Sequence, residues 1–309
     1  MFDIVGKRYW YFALSLLVIV PGLISLAIFG LNLSIDFTGG SLIELQFAEA
    51  KNIQPGDVKA IFDRHEMGDT LVQTSGEDVV LIRSKHMSSE TKGEILAEIE
   101  KQYGEFTELR FESVGPSIGE QVSQRASYAV ILAAIGILLY ISWAFRHVPN
   151  PVRYGTCAII AMIHDVAVVM GMAAILGRVL GWEVDALFLT ALLTVIGFSV
   201  HDSIVVFDRI RENMSRHRGE PFADIVNHSI IQTLDRSINT QLTVVFTLTA
   251  LILFGGVTIR GFVGILLIGI ISGTYSSIFN ASPLLVVWEN GDIGIFLRRL
   301  LGRRQKASA

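Results

Sequence analysis

Six apolar stretches, at 9–30, 126–145, 154–176, 186–207, 238–254 and 262–288, govern what this 309-residue chain can fold into. A helix needs about 20 apolar residues to cross the hydrocarbon of a bilayer, and these stretches approach or exceed that length. Inside hydrocarbon every backbone N–H and C=O needs a partner within the protein, so each stretch is expected as a helix. The mean hydropathy of +0.52 follows from them. With 51% apolar and 17% charged residues, the chain is too apolar for an ordinary soluble protein. Its net charge of −4 offers no basic surface for nucleic acid, so no nucleic-acid partner is expected. The one cysteine, Cys157, lies in an apolar stretch and can build neither a disulfide framework nor a zinc site alone.

The first stretch follows Lys7 and Arg8 and is longer than the apolar core of a secretory signal. Residues 31–36 offer no small-residue cleavage site, so an uncleaved span is expected, with Tyr9, Trp10 and Tyr11 at the membrane interface. Pro21-Gly22 predicts a kink within it, with neighbouring helices satisfying the freed backbone groups.

Residues 32–124 contain no span and carry 8 Lys/Arg against 17 Asp/Glu, net −9, which leaves +5 for the remainder. Strands are expected at 43–47, 70–74, 78–83 and 107–114, with a turn at 75–77 between the middle two. Pro55 opens a helix over 55–64. Ser88 caps another over 88–103, where Ile95 and Ile99 make an apolar pair one turn apart. The order βαββαβ is the split βαβ, ferredoxin-like pattern. The fold class is therefore an α-helical polytopic membrane protein with six transmembrane helices and one ferredoxin-like α+β domain between spans 1 and 2. That domain has no histidine cluster, activated nucleophile or phosphate loop, and is expected to handle a partner or a substrate rather than catalyse. No cofactor, metal or enzymatic activity is expected.

The division is then 1–31, N-terminus and first helix; 32–124, the ferredoxin-like domain; 125–290, helices 2–6 with a loop at 208–237; and 291–309, a basic tail. Arg146, Arg153, Arg209, Arg211, Arg216, Arg218, Arg298 and Arg299 fall on one side, whereas the opposite loops hold only Arg178 and Arg260. The basic side of a membrane protein is cytoplasmic. Both termini are thus expected inside and residues 32–124 outside.

Three ionisable groups in or beside the spans are functional-site candidates, because such groups are expensive in hydrocarbon. Asp202, beside His201, has five residues between it and the first outer charge, Asp208. At roughly 1.5 Å per helical residue it sits about 7 Å inside. Asp165, beside His164, is near the middle of the third span, where it is either a site acid or a packing acid bonded to hydroxyls or backbone. Arg236 begins the fifth span with Thr240 one turn on. Its guanidinium is either an interfacial anchor or the partner of Asp202 in a proton relay. The two His-Asp pairs raise a metal site, but neighbouring helical residues diverge by about 100° and no further ligand has suitable spacing. Gly269 and Gly273 suit close helix packing.

Four stretches carry a resemblance: Ile35-Asp36-Phe37-Thr38-Gly39-Gly40, Val114-Gly115-Pro116-Ser117-Ile118-Gly119, the run 196–213, and Gln232-Thr233-Leu234-Asp235-Arg236-Ser237-Ile238-Asn239-Thr240. The chain resembles, over nearly its whole length, the SecF family of the bacterial Sec translocase accessory complex. The first stretch also fits the sister SecD family; His201-Asp202-Ser203-Ile204-Val205-Val206-Phe207-Asp208-Arg209-Ile210-Arg211-Glu212-Asn213 fits SecF specifically. The resemblance implies membership of the resistance-nodulation-division superfamily, a bacterial inner-membrane location in contact with lipid, and SecD as partner. It also implies work with the SecYEG translocon, in which the proton-motive force helps a translocating unfolded polypeptide leave the channel. It implies Asp202, Arg236 and Thr240 as the proton relay of the SecF half, with Asp165, His164 and His201 as auxiliary candidates. His201 departs from the amide-bearing or small residue usual there, and adds a second titratable group beside the acid. Two other readings remain at this point: a proton-coupled small-molecule exporter of the superfamily, and a passive scaffold.

Overall fold

The computed structural model describes residues 2–48, 53–75 and 78–291. In chain order its elements are α1 Arg8–Phe29, α2 Ile35–Thr38, β1 Gly40–Phe47, α3 Pro55–Arg64, β2 Leu71–Ser75, β3 Val79–Ser84, α4 Ser89–Tyr103 and β4 Phe106–Val114. Then follow α5 Pro116–Ala144, α6 Pro151–Leu180, α7 Ala186–Arg216, α8 Phe222–Phe254, α9 Val257–Ser276, a π-helical turn Ser277–Ala281, and α10 Ser282–Glu289. The chain forms two units: Leu33–Tyr128, and the remainder on either side of it. The turn expected at 75–77 and the basic tail fall largely outside the described residues.

In the smaller unit the sheet order is β2-β3-β1-β4 and every pairing is antiparallel. Each βαβ crossover therefore skips one position, as the split βαβ pattern requires. On β1, Ile43 lies opposite Ile82 of β3 and Phe111 of β4, so one pleat face carries the apolar residues. Ile43, Leu45, Ile82, Ile61 of α3 and Ile95 and Ile99 of α4 are sealed in this core. Ser88 caps α4 by accepting from the Thr91 amide at 3.1 Å. Pro55 occupies the first turn of α3, where no amide donor is needed.

Two of the motif stretches meet in this unit. Gly39 has φ 72° and Gly40 φ 132°. A side chain at Gly39 would meet the Pro116 Cα at 2.7 Å, and one at Gly40 the Ser84 carbonyl at 2.7 Å. A side chain at Gly119 would strike the Gly39 amide at 2.7 Å. Only glycine fits a positive φ with backbone so near.

The helices long and apolar enough to cross a membrane are α1, α5, α6, α7, α8, and α9 to α10 taken together, six among the described residues, all in the other unit except the first part of α5. The last of these, α7 and α6 bury 56, 50 and 44% of their apolar window, against 17% for α1 and α8 and 6% for α5. The former three therefore make the interior, and the others present most of their surface to lipid or a partner. Pro21 lies inside α1, and at the next residue, Gly22, an added side chain would meet the Gly171 backbone of α6 at 2.9 Å. Small residues permit such backbone approach where apolar burial gives no drive to associate.

The charge-rich segment 208–237, expected as a loop entered by a helical exit at 208–212, is helical except at 217–221. α7 continues to Arg216 on the ion pairs Asp208–Arg211, Arg209–Glu212 and Glu212–Arg216, each one turn apart. Asn213 Nδ2 then donates to Ser229 Oγ and Gln232 Oε1 of α8, at 2.8 and 2.9 Å. These contacts clasp the two extensions, which explains why charge did not end the helices. Asn227 on α8 accepts from the Ile4 and Val5 amides at 2.8 and 3.2 Å and ties down the N-terminal segment.

Candidate functional site

Asp185 caps α7 by accepting from the Phe188 amide at 2.7 Å, and from there the helix presents Val195, Ser199, Asp202, Ser203 and Val206 on one buried face. The spacing of three and four residues is that of a single helical stripe. His201, about 100° round from Asp202, is exposed. The corresponding stripe of α6 carries Ala158, Ala161, Met162, Asp165 and Val169. The two acids are thus built into the interior helices, and their surroundings differ.

Asp165 is fully enclosed. Its Oδ2 accepts from Ser199 Oγ at 2.5 Å and Ser276 Oγ at 2.6 Å. Its Oδ1 accepts from Ser272 Oγ at 2.8 Å and His164 Nδ1 at 2.9 Å. A carboxylate has about four lone-pair positions, and all four are filled by donors from α6, α7 and α9. One carboxyl group thus ties three helices together. His164 is held by that bond and by stacking on Tyr275, at 6.3 Å between ring centroids.

The sequence offers hydroxyls as one set of partners for Asp165 without saying which residues supply them. Ser203 Oγ donates to the Ser199 carbonyl and to Ser277 Oγ, each at 3.1 Å, and Ser277 Oγ donates to the Ser199 carbonyl at 2.9 Å. Ser277 opens the π-helical turn, a distortion frequent at functional sites. The signal was present as Ser272, Ser276 and Ser277 inside an otherwise apolar span, but the glycines beside them were weighed for packing alone. A side chain at Gly273 would meet Ser199 Cβ at 3.2 Å, so this glycine sets the approach that brings α9 hydroxyls to Asp165.

Asp202 is 3% exposed and has one hydrogen-bond partner among the described residues: Gln241 Nε2 on α8 donates to its Oδ2 at 2.5 Å. Arg236, expected opposite Asp202, is exposed and makes no hydrogen bond or ion pair with it among the described residues. Thr240 is exposed on the same side, and its hydroxyl donates back to the Arg236 carbonyl at 2.9 Å. The expected direct pairing is thus replaced here by an amide contact, for a rotational reason. Ser237 and Gln241 each follow the expected residue by one position, about 100° round the helix, and that displacement turns them inward. Gln241 Oε1 and Ser237 Oγ are enclosed without a partner among the described residues. A buried polar atom left unpaired costs about 1–3 kcal/mol, so each such atom calls for an explanation. Among the described residues no three His, Cys, Asp or Glu side chains are grouped to hold a metal.

Known proteins resemble this chain in sequence and fold. Residues 94–291 match the family described as protein export membrane protein SecD/SecF, C-terminal, and residues 24–51 match the SecD/SecF GG motif. The protein translocase subunit SecF of Anaerolinea thermophila is 54% identical over 294 residues, covering 94% of this chain and 96% of that one. The chain belongs to the SecF family. The SecF subunit of Thermobaculum terrenum is 52% identical, covering 97% of this chain and 98% of that one. The crystal structure of SecDF, a translocon-associated membrane protein from Thermus thermophilus, superposes with a TM-score of 0.79 at 36% identity over 94% of this chain. The super-membrane-facing form of SecDF gives 0.67 at 34% over 99%. This chain spans 39 and 40% of those two longer chains. SecF membership makes it a multi-pass membrane protein of Sec protein export and sets aside the small-molecule exporter. The glycines that carry the GG motif are those whose backbones pack against residues 84 and 116.

Proposed function

We propose that this chain is the non-enzymatic, proton-coupled half of a SecD-containing accessory complex that helps unfolded polypeptide leave the SecYEG channel. Asp202 takes up and releases the proton. Arg236 pairs with its ionised form, and Thr240 steadies the turn that carries Arg236. The observation that supports this division of roles is the contrast between the two membrane acids. Asp165 has every acceptor position occupied, while Asp202 is enclosed with a single amide partner. Arg236 and Thr240, uncovered by this chain, lie on a face available to SecD. Both termini are cytoplasmic in the inner membrane, and residues 32–124 face outward, where they contact emerging chain; the positive-side count supports this orientation. One charge crossing 100 mV supplies about 2.3 kcal/mol, enough to bias a two-state element by tens-fold.

Proton-gradient-dependent precursor release from vesicles, at equal amounts of assembled complex, tests the reading. Asp202→Asn is expected to abolish the gradient-dependent fraction, Arg236→Ala nearly so, and Arg236→Lys to leave part of it because charge is kept without the guanidinium fork. Wild-type release from Asp202→Asn vesicles would refute proton coupling through this acid and leave a passive scaffold.

A further inference from the structure

Gln241 stands where the sequence placed Arg236: against Asp202, donating through Nε2 to Oδ2. Its own Oε1 is enclosed with no partner among the described residues, and the side chain is 5% exposed. A primary amide differs from arginine in one respect that matters for an acid that titrates. Arginine only donates, so it serves the carboxylate alone; an amide both donates and accepts, so it can also serve the carboxylic acid. A protonated carboxyl offers one O–H donor and one carbonyl acceptor, the complement of the amide.

We infer that Gln241 is the partner of protonated Asp202, so that the acid exchanges Arg236 for Gln241 each time it takes up a proton. This rests on Asp202 being the proton carrier. The proton adds to Oδ1, and the new O–H donates to Gln241 Oε1 while Nε2–H remains on Oδ2. The two side chains then form a closed pair with two hydrogen bonds, and the orphaned amide oxygen is satisfied. Loss of the proton leaves Oδ1 and Oε1 as two acceptors without a hydrogen between them, which opens the pair and frees the carboxylate for the guanidinium. Gln241 is thus a positioning residue: it holds the acid on the α7–α8 side during the arginine-free half of the cycle. Apart from Arg153, Tyr154 and Arg178 towards the ends of α6, the charged exit of α7 at 208–216, Asp224 and His228 early in α8, Arg260 early in α9 and Glu289 at the end of α10, the other titratable or charged groups on the elements packed around this pair are Cys157, His164 and Asp165 on α6, His201 on α7, Asp235 and Arg236 on α8 and Tyr275 on α9. Asp165 is committed to His164 and three serines, His164 Nε2 is enclosed but bonds neither Asp202 nor Gln241 among the described residues, Tyr275 donates its hydroxyl to the Tyr11 carbonyl, and His201, Asp235 and Arg236 are exposed. None of these supplies the acceptor that a protonated Asp202 requires.

Infrared difference spectroscopy over a pH titration, on the full chain assembled with its SecD partner in lipid vesicles, reads this pair directly. Wild type is expected to show a protonated-carboxyl C=O band that Asp202→Asn removes. In Gln241→Met, of similar length and without hydrogen-bonding groups, that band is expected to move to higher wavenumber. Gradient-dependent release is expected to fall roughly three- to tenfold, the equivalent of one lost neutral hydrogen bond. If Gln241→Met does not assemble, Gln241→Asn, whose amide is withdrawn by one methylene, is expected to move the band in the same direction. A band at the wild-type position in the assembled variant overturns the role of Gln241. The absence, at every pH, of any band that Asp202→Asn removes overturns instead the proton-carrier reading beneath it.

Discussion

Replacing Asp165 tests whether this acid packs helices or carries the proton. Asp165→Ala strands four donors: the hydroxyls of Ser199, Ser272 and Ser276 and the His164 Nδ1–H. Hydrogen bonds between membrane helices average about 0.6 kcal/mol and reach about 1.7, so the three serine bonds are worth roughly 1.8 kcal/mol, with an upper bound near 5, and the His164 bond within α6 adds about 0.5–1 kcal/mol. Recovery is available on one side, since Ser276 Oγ already shares the Gly273 carbonyl at 3.2 Å. A serine that turns back onto its own helix has an acceptor at no further cost. The expected destabilisation is therefore about 2–3 kcal/mol for Asp165→Ala. Asp165→Asn, which keeps one acceptor oxygen, should cost about half as much. The measurement is reversible unfolding of the purified chain in detergent, followed by gradient-dependent release normalised to assembled complex. Asp165→Asn is expected to lose stability and yield yet keep most of its release per assembled complex, the reverse of Asp202→Asn. An Asp165→Asn chain within about 0.5 kcal/mol of wild type but without gradient-dependent release would refute the saturation argument and make Asp165 a proton carrier.

Two further outcomes follow from geometry already described. With Cys157 replaced by alanine, Ser89→Cys in the smaller unit should react with an impermeant thiol reagent on intact cells and Arg218→Cys between α7 and α8 should not; the opposite pattern would invert the orientation. Gly40→Ala forces a side chain toward the Ser84 carbonyl at positive φ and should destabilise the smaller unit by about 2 kcal/mol or more, read as faster proteolysis within 33–128 at unchanged expression; wild-type protease resistance would refute the backbone-contact account.

Much of the architecture was legible because its causes are local. A run of about 20 apolar residues has one low-energy solution in a bilayer, and six such runs give six spanning helices. Alternation at 43–47, the proline at 55 and the serine at 88 each act within one strand or one helical turn, and the elements of the smaller unit form where they predict. The glycine stretches were legible as motifs but not as contacts, since Gly39 meets Pro116 across 77 residues of chain. The helical exit at 208–212 was legible, but the rest of the charged segment up to 237 reads wrongly as a loop because charge marks departure from hydrocarbon, not the end of a helix. What continues the helices is the Asn213–Ser229–Gln232 clasp, formed only after the two pack.

The membrane acids show where sequence stops and tertiary structure begins. Sequence alone placed Asp165 and Asp202 inside apolar runs, where an ionisable group is costly, and Arg236 at the edge of one, because depth follows from position along an apolar run. It could not determine who meets whom, because partners are chosen by helix rotation, and one residue of rotation is about 100°. That rotation turns Gln241 rather than Arg236 toward Asp202 and leaves Thr240 on the outside. It also gathers Ser199, Ser272 and Ser276, drawn from two different helices, onto Asp165. Depth is a one-dimensional property of the chain; the choice between a saturated acid and one left with a single partner exists only after the helices have packed.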